Sequence, residues 1–247
     1  MADPRVLVAA AGRGQRAGLP YPKTLYPVDG IPILVRLLDT TRVIDDRPTV
    51  IVSPAGAAPI RDCLQRAGLQ AHLVVQSEPR GMGDAVLRFE GSPAWDAAGH
   101  VLLVWGDLPF LQGETVVALA RAHRERGNDF TFATRQVESA YTLVSRDADG
   151  RVCGVIETRE RGMREPPPGE REIGLFVFRK DPVFATLREA LPGRYGATTG
   201  EHGFLYVIGH LAARGHQVEA LPIATALDTV SLNRLDDLTV AIDGGTP

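Results

Sequence analysis

Cysteine is nearly absent from this 247-residue chain: Cys63 and Cys153 stand alone without CxxC spacing, which excludes a disulfide-stapled scaffold and a thiolate zinc site. The patterns around them, an amphipathic helix for Cys63 and a strand for Cys153, predict two buried free thiols. The six histidines are scattered, with no HExxH pair or other metal spacing, and no GxSxG elbow offers a serine nucleophile. There is no excess of basic side chains, with 27 Lys and Arg against 30 Asp and Glu and a net charge of -3. General electrostatic attraction therefore selects neither nucleic acid nor an anionic membrane as partner. No run of ~18 apolar residues and no charged region ahead of an apolar segment occurs, so neither a spanning helix nor a secretory leader is expected. The simplest expectation is a cytoplasmic enzyme.

With 44% hydrophobic and 23% charged residues, the chain has apolar material for one large α/β core, and a single domain over residues 1–247 is expected. Short apolar runs at Val6–Ala10, Thr49–Ser53, His72–Val75 and Val101–Trp105 alternate with helical patterns over Pro32–Val43, Ala57–Ala67 and Met82–Glu90. Such repetition predicts right-handed crossovers and a sheet covered on both faces: a three-layer α/β/α, Rossmann-like architecture with a mostly parallel mixed sheet. From Tyr141 onward the strands YTLVS, RVCGVIE and EIGLFVF follow more closely, which predicts a small β-rich insertion over the active-site rim. The charged, proline-rich stretch Arg159–Arg171, RERGMREPPPGER, predicts a solvated loop, with a mobile flap as the alternative. The tail predicts a helix over Phe204–Arg214, a strand over Gln217–Leu221 and a closing helix over Arg234–Ala241.

The most informative stretch is VLVAAAGRGQRAGLPYPKTL, Val6–Leu25. An apolar strand runs into a loop in which Gly12 and Gly14 lack Cβ atoms where backbone amides would approach an anion. Arg16 and Lys23 add permanent positive charge. Walker A spacing is absent, and although GRGQRA fits a loose dinucleotide pattern, Pro20 and Pro22 break the helix that pattern should open. Ligands of parallel sheets sit at strand C-terminal ends, which gathers this loop with Gln76–Gly83 and with Gly106–Asp107. Asp107, after the strand VLLVWG, puts a hard carboxylate oxygen at that rim, suited to magnesium; a turn or helix-cap role is the bland alternative.

These motifs resemble the sugar-1-phosphate nucleotidyltransferases, a GT-A-like family, and most closely the uridylyltransferase domain of the bifunctional bacterial enzyme that makes UDP-N-acetylglucosamine. AAGRGQRA leading to Lys23 matches the family's AAGxGxRM segment and its PK, with Gln15 and Ala17 departing. QSEPRGMGDA, Gln76–Ala85, matches a signature of glutamine, acidic residue and GTGHA. Trp105, Gly106 and Asp107 stand for Tyr-Gly-Asp, and Ser231, Leu232 and Asn233 for a late Gly-Val-Asn. The resemblance implies catalytic roles for Arg16 and Lys23. It implies nucleotide contacts from Ala10, Ala11, Gly12, Gly14, Gln76, Gly81, Trp105 and Gly106, with Gln76 and Gly81 on the uracil edge. It also implies Mg2+ held by Asp107 and Asn233, with nearby Asp228 as the alternative second ligand.

The acceptor half matches less well. The family's Tyr-Gly is Tyr141 and Thr142 here, its Asn-Thr-Gly is Glu172, Ile173 and Gly174, and the threonine of GTGHA is Met82, while Glu157 keeps the acidic residue. Met82, Tyr141, Thr142, Glu157 and Glu172 are thus the expected acceptor-binding residues, and the swaps argue against plain N-acetylglucosamine 1-phosphate, since unmatched buried polar groups are costly. His202 is read as a surface-loop histidine, with an acceptor-pocket position as the alternative. Residues 1–135 form the expected nucleotide-binding half and 136–247 the acceptor half, without the hexapeptide-repeat domain of the bifunctional enzyme.

The implied reaction is magnesium-dependent transfer of a nucleoside monophosphate from a pyrimidine triphosphate, foremost UTP, to a sugar 1-phosphate with release of pyrophosphate. A second reading has CTP activating a phosphonate, polyol phosphate or other non-sugar phosphate, and a third, of a different class, is a sugar-nucleotide sensor without turnover. The expected partners are these small molecules alone, with a homo-oligomer left open.

Overall fold

The computed structural model of the chain describes residues 3–12, 18–235 and 237–238. In chain order its elements are β1 (Arg5–Ala9), a ribbon of β2 (Pro27–Val28) and β3 (Ile31–Pro32), α1 (Ile33–Thr41), β4 (Thr49–Val52), α2 (Pro54–Arg66), β5 (His72–Val75), α3 (Met82–Leu87), β6 (His100–Trp105), α4 (Gly113–Arg126), β7 (Phe130–Val137), β8 (Thr142–Arg146), β9 (Val152–Glu157), β10 (Gly169–Arg179), α5 (Lys180–Arg188), α6 (Tyr206–Ala213) and β11 (Val218–Leu221). The closing helix expected over Arg234–Ala241 falls largely outside the described residues.

Local chemistry sets several boundaries. α2 starts at Pro54, ahead of the expected Ala57, because Ser53 Oγ accepts from Gly56 N at 3.1 Å and proline suits the first turn. α4 ends where Gly127 takes φ 67°, the left-handed conformation that closes a helix at little cost to glycine. α3 is shorter than expected and passes into a 3-10 turn over Arg88–Gly91.

Seven strands form the main sheet in the order β11-β7-β10-β6-β1-β4-β5. β1 runs parallel to β4 and β6, β4 to β5 and β11 to β7, while β10 is antiparallel to both its neighbours. The central strands are apolar on both faces because both are covered. Val6, Val8, Val50 and Val104 pack toward α1, α2 and α4 through Leu34, Ile60 and Leu119. Leu7, Ile51 and Leu103 pack toward α3, α5 and α6 through Val86, Phe184 and Ile208. The expected three-layer, Rossmann-like α/β/α fold with a mostly parallel mixed sheet is the one observed. The chain runs from β1 through β4 to β5 at one edge, then returns to β6 on the other side of β1, so the strand order reverses between β1 and β6 and opens a crevice at their C-terminal ends.

Three expectations need correction. EIGLFVF belongs to the main sheet: it forms most of β10, threaded between β7 and β6, and every residue from Arg171 to Phe178 is buried. The insertion is only the β8–β9 hairpin, a separate two-stranded sheet, which lies close against α6, where a Cβ on Gly209 would come within 3.2 Å of the Cys153 carbonyl oxygen. The stretch expected as a solvated loop over Arg159–Arg171 ends inside β10, and Arg171 is buried with its guanidinium 3.8 Å over the Tyr141 ring. Finally, Cys63 is buried as expected but Cys153 is exposed, because it sits on the outward face of its hairpin strand.

Away from the crevice, His123 is 2% exposed and joins the ends of α4, β6 and β7: Nε2 meets His100 Nδ1 at 2.9 Å and Nδ1 meets Thr131 Oγ1 at 2.9 Å. Burial, reinforced by His100, lowers the His123 pKa to about 4. The folded value lies below the unfolded one, so the neutral form is the stabilising form. That stability is complete above the unfolded value of about 6.5 and is lost as pH falls from there toward 4, by at most about 3 kcal/mol. A thermal melt is expected to lose several degrees between pH 7 and pH 4.5, and a His123→Gln variant to show a flatter profile; equal slopes in the two proteins would exclude this origin.

Candidate active site at the reversal of strand order

The crevice is built where the ends of β1 and β6 touch. Gly106 N donates to Ala9 O at 3.0 Å, and a Cβ at Gly106 would stand 2.7 Å from that same oxygen, so glycine is required for the two strand ends to meet. A 3-10 turn over Lys23–Leu25 then brings Lys23 over the glycine loop, with its Cε 3.4 Å from where a Gly12 Cβ would lie. Lys23 Nζ pairs with Asp107 Oδ2. The other oxygen, Asp107 Oδ1, is buried and has no hydrogen-bond partner among the described residues, an arrangement that costs free energy unless a ligand completes it. Ala10, Gly12, Lys23, Trp105, Gly106 and Asp107 line a small cavity of about 120 Å³ here. Gly14 and Arg16 lie outside the described residues.

The late segment is held to this rim by main chain and side chain. Leu232 N donates to Asp107 O at 2.9 Å, which places Asn233 beside the crevice. Asn233 is exposed, lines the larger cavity, and donates through Nδ2 to Ser231 Oγ at 2.9 Å. Asp228, the alternative metal ligand, is fully buried, and its two oxygens accept from Gln112 N, Thr115 Oγ1, Thr225 N and Thr225 Oγ1 at 2.7 to 2.9 Å. Four donors saturate that carboxylate and make it the clasp of the segment carrying Asn233.

A cavity of about 750 Å³ adjoins the small one, sharing Met82 and Trp105. Tyr141, Thr142, Glu157 and Asn233 also line it. Trp105 packs against Phe176 at 5.7 Å between ring centroids, and its indole lies so close to Gly174, at φ 82°, that a Cβ there would be 2.9 Å from the ring. Trp105 Nε1 is buried without a partner among the described residues. Tyr141 bonds through its hydroxyl to Arg171, which also donates to Thr229 O at 3.1 Å and so ties β8, β10 and the late segment together. Burial pushes the Tyr141 phenol up to about 12, which keeps it a neutral donor.

The two acidic residues of this half behave differently. Glu157 faces the cavity, with its pKa raised by burial and by the neighbouring Glu160. Glu172 is wholly buried behind Thr142: Oε1 accepts from Thr142 Oγ1 at 3.2 Å and Oε2 from Gly174 N at 2.6 Å. Burial raises its pKa to about 7, opposed by Arg171 and by those two donors. Glu172, expected to contact the acceptor, therefore does not line the cavity: Thr142 stands between.

The GMG segment is clamped against residues 202–203. Gly83 N donates to His202 O at 2.9 Å and His202 N to Arg80 O at 2.7 Å, while a Cβ on Gly83 would lie 2.2 Å from Gly203 O. His202 is consequently no surface-loop residue: it is 4% exposed, lines the large cavity and meets Tyr206 OH at 3.3 Å, and burial lowers its pKa to about 4. Gln76, 5% exposed at the end of β5, donates to Gly81 O at 3.1 Å and to Asp84 Oδ2 at 2.9 Å. Sequence reasoning missed Asp84 and Arg171, and for His202 it is the alternative, the acceptor-pocket position, that the structure favours. The D of GMGDA was the only local signal for Asp84, and nothing local marks Arg171, whose role comes from contacts distant in sequence.

Over residues 6–199 the chain matches the model of the MobA-like NTP transferase domain. It is 32% identical over 222 residues to bifunctional protein GlmU of Leifsonia xyli subsp. xyli, covering 89% of this chain and 45% of that protein. It is 33% identical over 223 residues to the GlmU of Kineococcus radiotolerans, covering 88% and 44%. The chain thus spans a little under half the length of these relatives. Among solved structures, a Bacillus anthracis protein provisionally named glucose-1-phosphate thymidylyltransferase superposes with a TM-score of 0.77 at 15% identity, over 98% of this chain and 95% of that one. The inositol-1-phosphate CTP transferase of T. maritima superposes at 0.67 with 18% identity, over 90% and 86%. At these identities the structural likeness establishes the fold. Among the described residues no helix is long and apolar enough to cross a membrane.

Proposed function

Because the chain belongs to the MobA-like NTP transferase domain family, and is thereby a nucleotidyltransferase, we propose that it moves a nucleoside monophosphate from a pyrimidine triphosphate, foremost UTP, to a sugar 1-phosphate. The observation that carries this reading is the Lys23–Asp107 pair, with one carboxylate oxygen buried and unpartnered at the mouth of the glycine loop. Residues 1–135 bind the nucleotide and residues 136–247 the acceptor, and the place of work is the cytoplasm, where nucleoside triphosphates are abundant.

A phosphate oxygen of the acceptor attacks the α-phosphorus, the bond from that phosphorus to the bridging oxygen breaks, and pyrophosphate leaves with the electron pair. An ionised phosphate is already a nucleophile, so the protein has only to align the two substrates and offset charge. Ala10, Ala11 and Gly12 bring backbone close to the phosphates, and Lys23 neutralises the α-phosphate as negative charge accumulates. Arg16, outside the described residues, is assigned to the β- and γ-phosphates from its place in the motif. Gln76 and Gly81 face the base, with Trp105 and Gly106 completing the nucleotide side. On the acceptor side Met82, Tyr141, Thr142 and Glu157 face the substrate, with Glu172 behind Thr142.

Magnesium fits this donor set. A hard carboxylate oxygen without a partner among the described residues suits it, and Asp107 with Asn233 would hold it. Among the described residues no cluster of three acidic, histidine or cysteine side chains could encage a metal alone, in keeping with an ion that shares its shell with substrate phosphates. Bound there, it would supply charge stabilisation on the phosphoryl oxygens.

One observation favours a second reading. Glu172 is sealed from the cavity and Thr142 fills space before it, which removes one carboxylate anchor where a sugar hydroxyl or acetamide would bind and keeps CTP with a phosphonate, polyol phosphate or other non-sugar acceptor as the second reading. The experiment offers each nucleoside triphosphate with magnesium and a panel of sugar phosphates, polyol phosphates and phosphonates, and measures pyrophosphate. Release with one pair is expected; nucleotide binding without release by any pair would make the protein a sensor.

A further inference from the structure

The amide of Gln76 is held in one orientation by groups that can only accept. Its Nε2 donates at once to Gly81 O and to Asp84 Oδ2. Turning the amide over would set Oε1 against a carbonyl and a carboxylate, both acceptors, so the nitrogen is committed inward. Asp84 is fixed in turn: it is buried in α3, and its Oδ1 accepts from Arg88 at 2.7 Å. Gln76 Oε1 has no partner among the described residues and is not sealed from solvent. Beside it, Gly81 N donates to no group among the described residues. Its direction is set by φ 106°, a conformation that favours glycine, and a Cβ there would stand 2.5 Å from His202 O.

We infer that Asp84 is a positioning residue for base selection. By occupying the Gln76 amino group it leaves one acceptor, Gln76 Oε1, next to one donor, Gly81 N–H, so the site takes a base edge that presents a donor beside an acceptor. Uracil and thymine offer N3–H beside a carbonyl, and cytosine offers its 4-amino group beside N3; a base edge of acceptors alone is refused. The inference rests on the proposed function, in which the nucleotide's base lies against Gln76. At position 84 the resembling family's motif carries histidine, so the lock belongs to this chain's own sequence.

Calorimetric titration tests it directly with magnesium and two matched pairs: UTP against N3-methyluridine triphosphate, and CTP against N4,N4-dimethylcytidine triphosphate. Each methylated analogue lacks the donor. The wild type is expected to bind the unmethylated member of its preferred pair about tenfold or more tightly, the equivalent of one lost hydrogen bond. Asp84→Asn and Asp84→Ala, checked for folding by thermal melt, should bring that ratio to within about threefold. The asparagine variant can give its own amino group to Gln76, and the alanine variant leaves Gly81 O as the one remaining acceptor that orients the amide, so the turned-over amide is opposed by one contact in place of two. A merely structural role for Asp84 would weaken both members equally. A wild type without discrimination, or folded variants that keep the full ratio, overturns the inference. Pyrophosphate release is followed in parallel: discrimination that depends on Asp84 without release supports the inference and sinks the proposed reaction, whereas release with an unaltered ratio does the reverse. Failure of every nucleotide to bind overturns both.

Discussion

Replacing Lys23 by alanine is expected to lower pyrophosphate release by about 10²- to 10³-fold or more at saturating substrates, the range found when one preorganised charge donor is removed from a transition state. Among the described residues Lys23 is the cation paired with Asp107 at the crevice, and it is about a quarter exposed, so it is accessible to a phosphate group. Negative charge on the α-phosphate grows most at the transition state, and the loss should therefore fall chiefly on kcat rather than KM. The same substitution leaves the Asp107 carboxylate without its partner in a mostly buried position, a cost in stability that a thermal melt will register. Lys23→Met, which keeps the aliphatic stem against the glycine loop, separates packing from charge. Lys23→Met protein that is folded and turns over near the wild-type rate would remove Lys23 from the mechanism.

The second large effect is expected at Asp107. Asp107→Ala should reduce turnover by about 10³-fold and abolish the saturable dependence on magnesium, because the buried oxygen without a partner is the group assigned to the cation. Asp107→Asn keeps the shape and the backbone contact with Leu232 while removing the charge, so its defect should be partly recovered at high magnesium. The readouts are pyrophosphate release against magnesium concentration and the shift in melting temperature that magnesium produces in the presence of nucleotide. An Asp107→Asn enzyme with an unchanged magnesium dependence would reassign the residue to a turn-forming role. Because Asp228 is saturated by four donors, its removal should instead loosen the segment bearing Asn233 and depress stability.

Much of the framework is legible in the chain alone. Val6–Ala10, Thr49–Ser53, His72–Val75 and Val101–Trp105 alternate with helical periods, and a strand buried on both faces has to be apolar along its whole length. The glycine loop and Asp107 follow from the same logic, since strand C-terminal ends face a common rim. The place of β10 is not legible in this way, because its neighbours in sequence, a charged loop and a hairpin, suggest an insertion. Its own apolar run, Ile173 to Phe178, nevertheless has the buried character of a central strand. Pairing order in a sheet is set by contacts between segments far apart in sequence, and local pattern holds no information about which neighbour a strand will choose.

The acceptor side shows the same division at the level of single side chains. Glu172 and Glu157 are both glutamates near strand ends, yet one is sealed behind Thr142 and the other faces the cavity. His202 sits in a glycine-flanked segment that suggests a surface loop, and becomes buried because Gly81 and Gly83 let that segment lie directly against theirs. Residue types, their order and the strand periodicity were enough to specify an α/β sheet with a glycine-rich loop after its first strand and a carboxylate at its rim, because burial and backbone sterics act locally. Which oxygen of Asp107 stays unpaired, which way the Gln76 amide points and which acids face the cavity were decided only by tertiary structure, because each depends on a partner brought in from elsewhere in the chain and on the burial that partner creates.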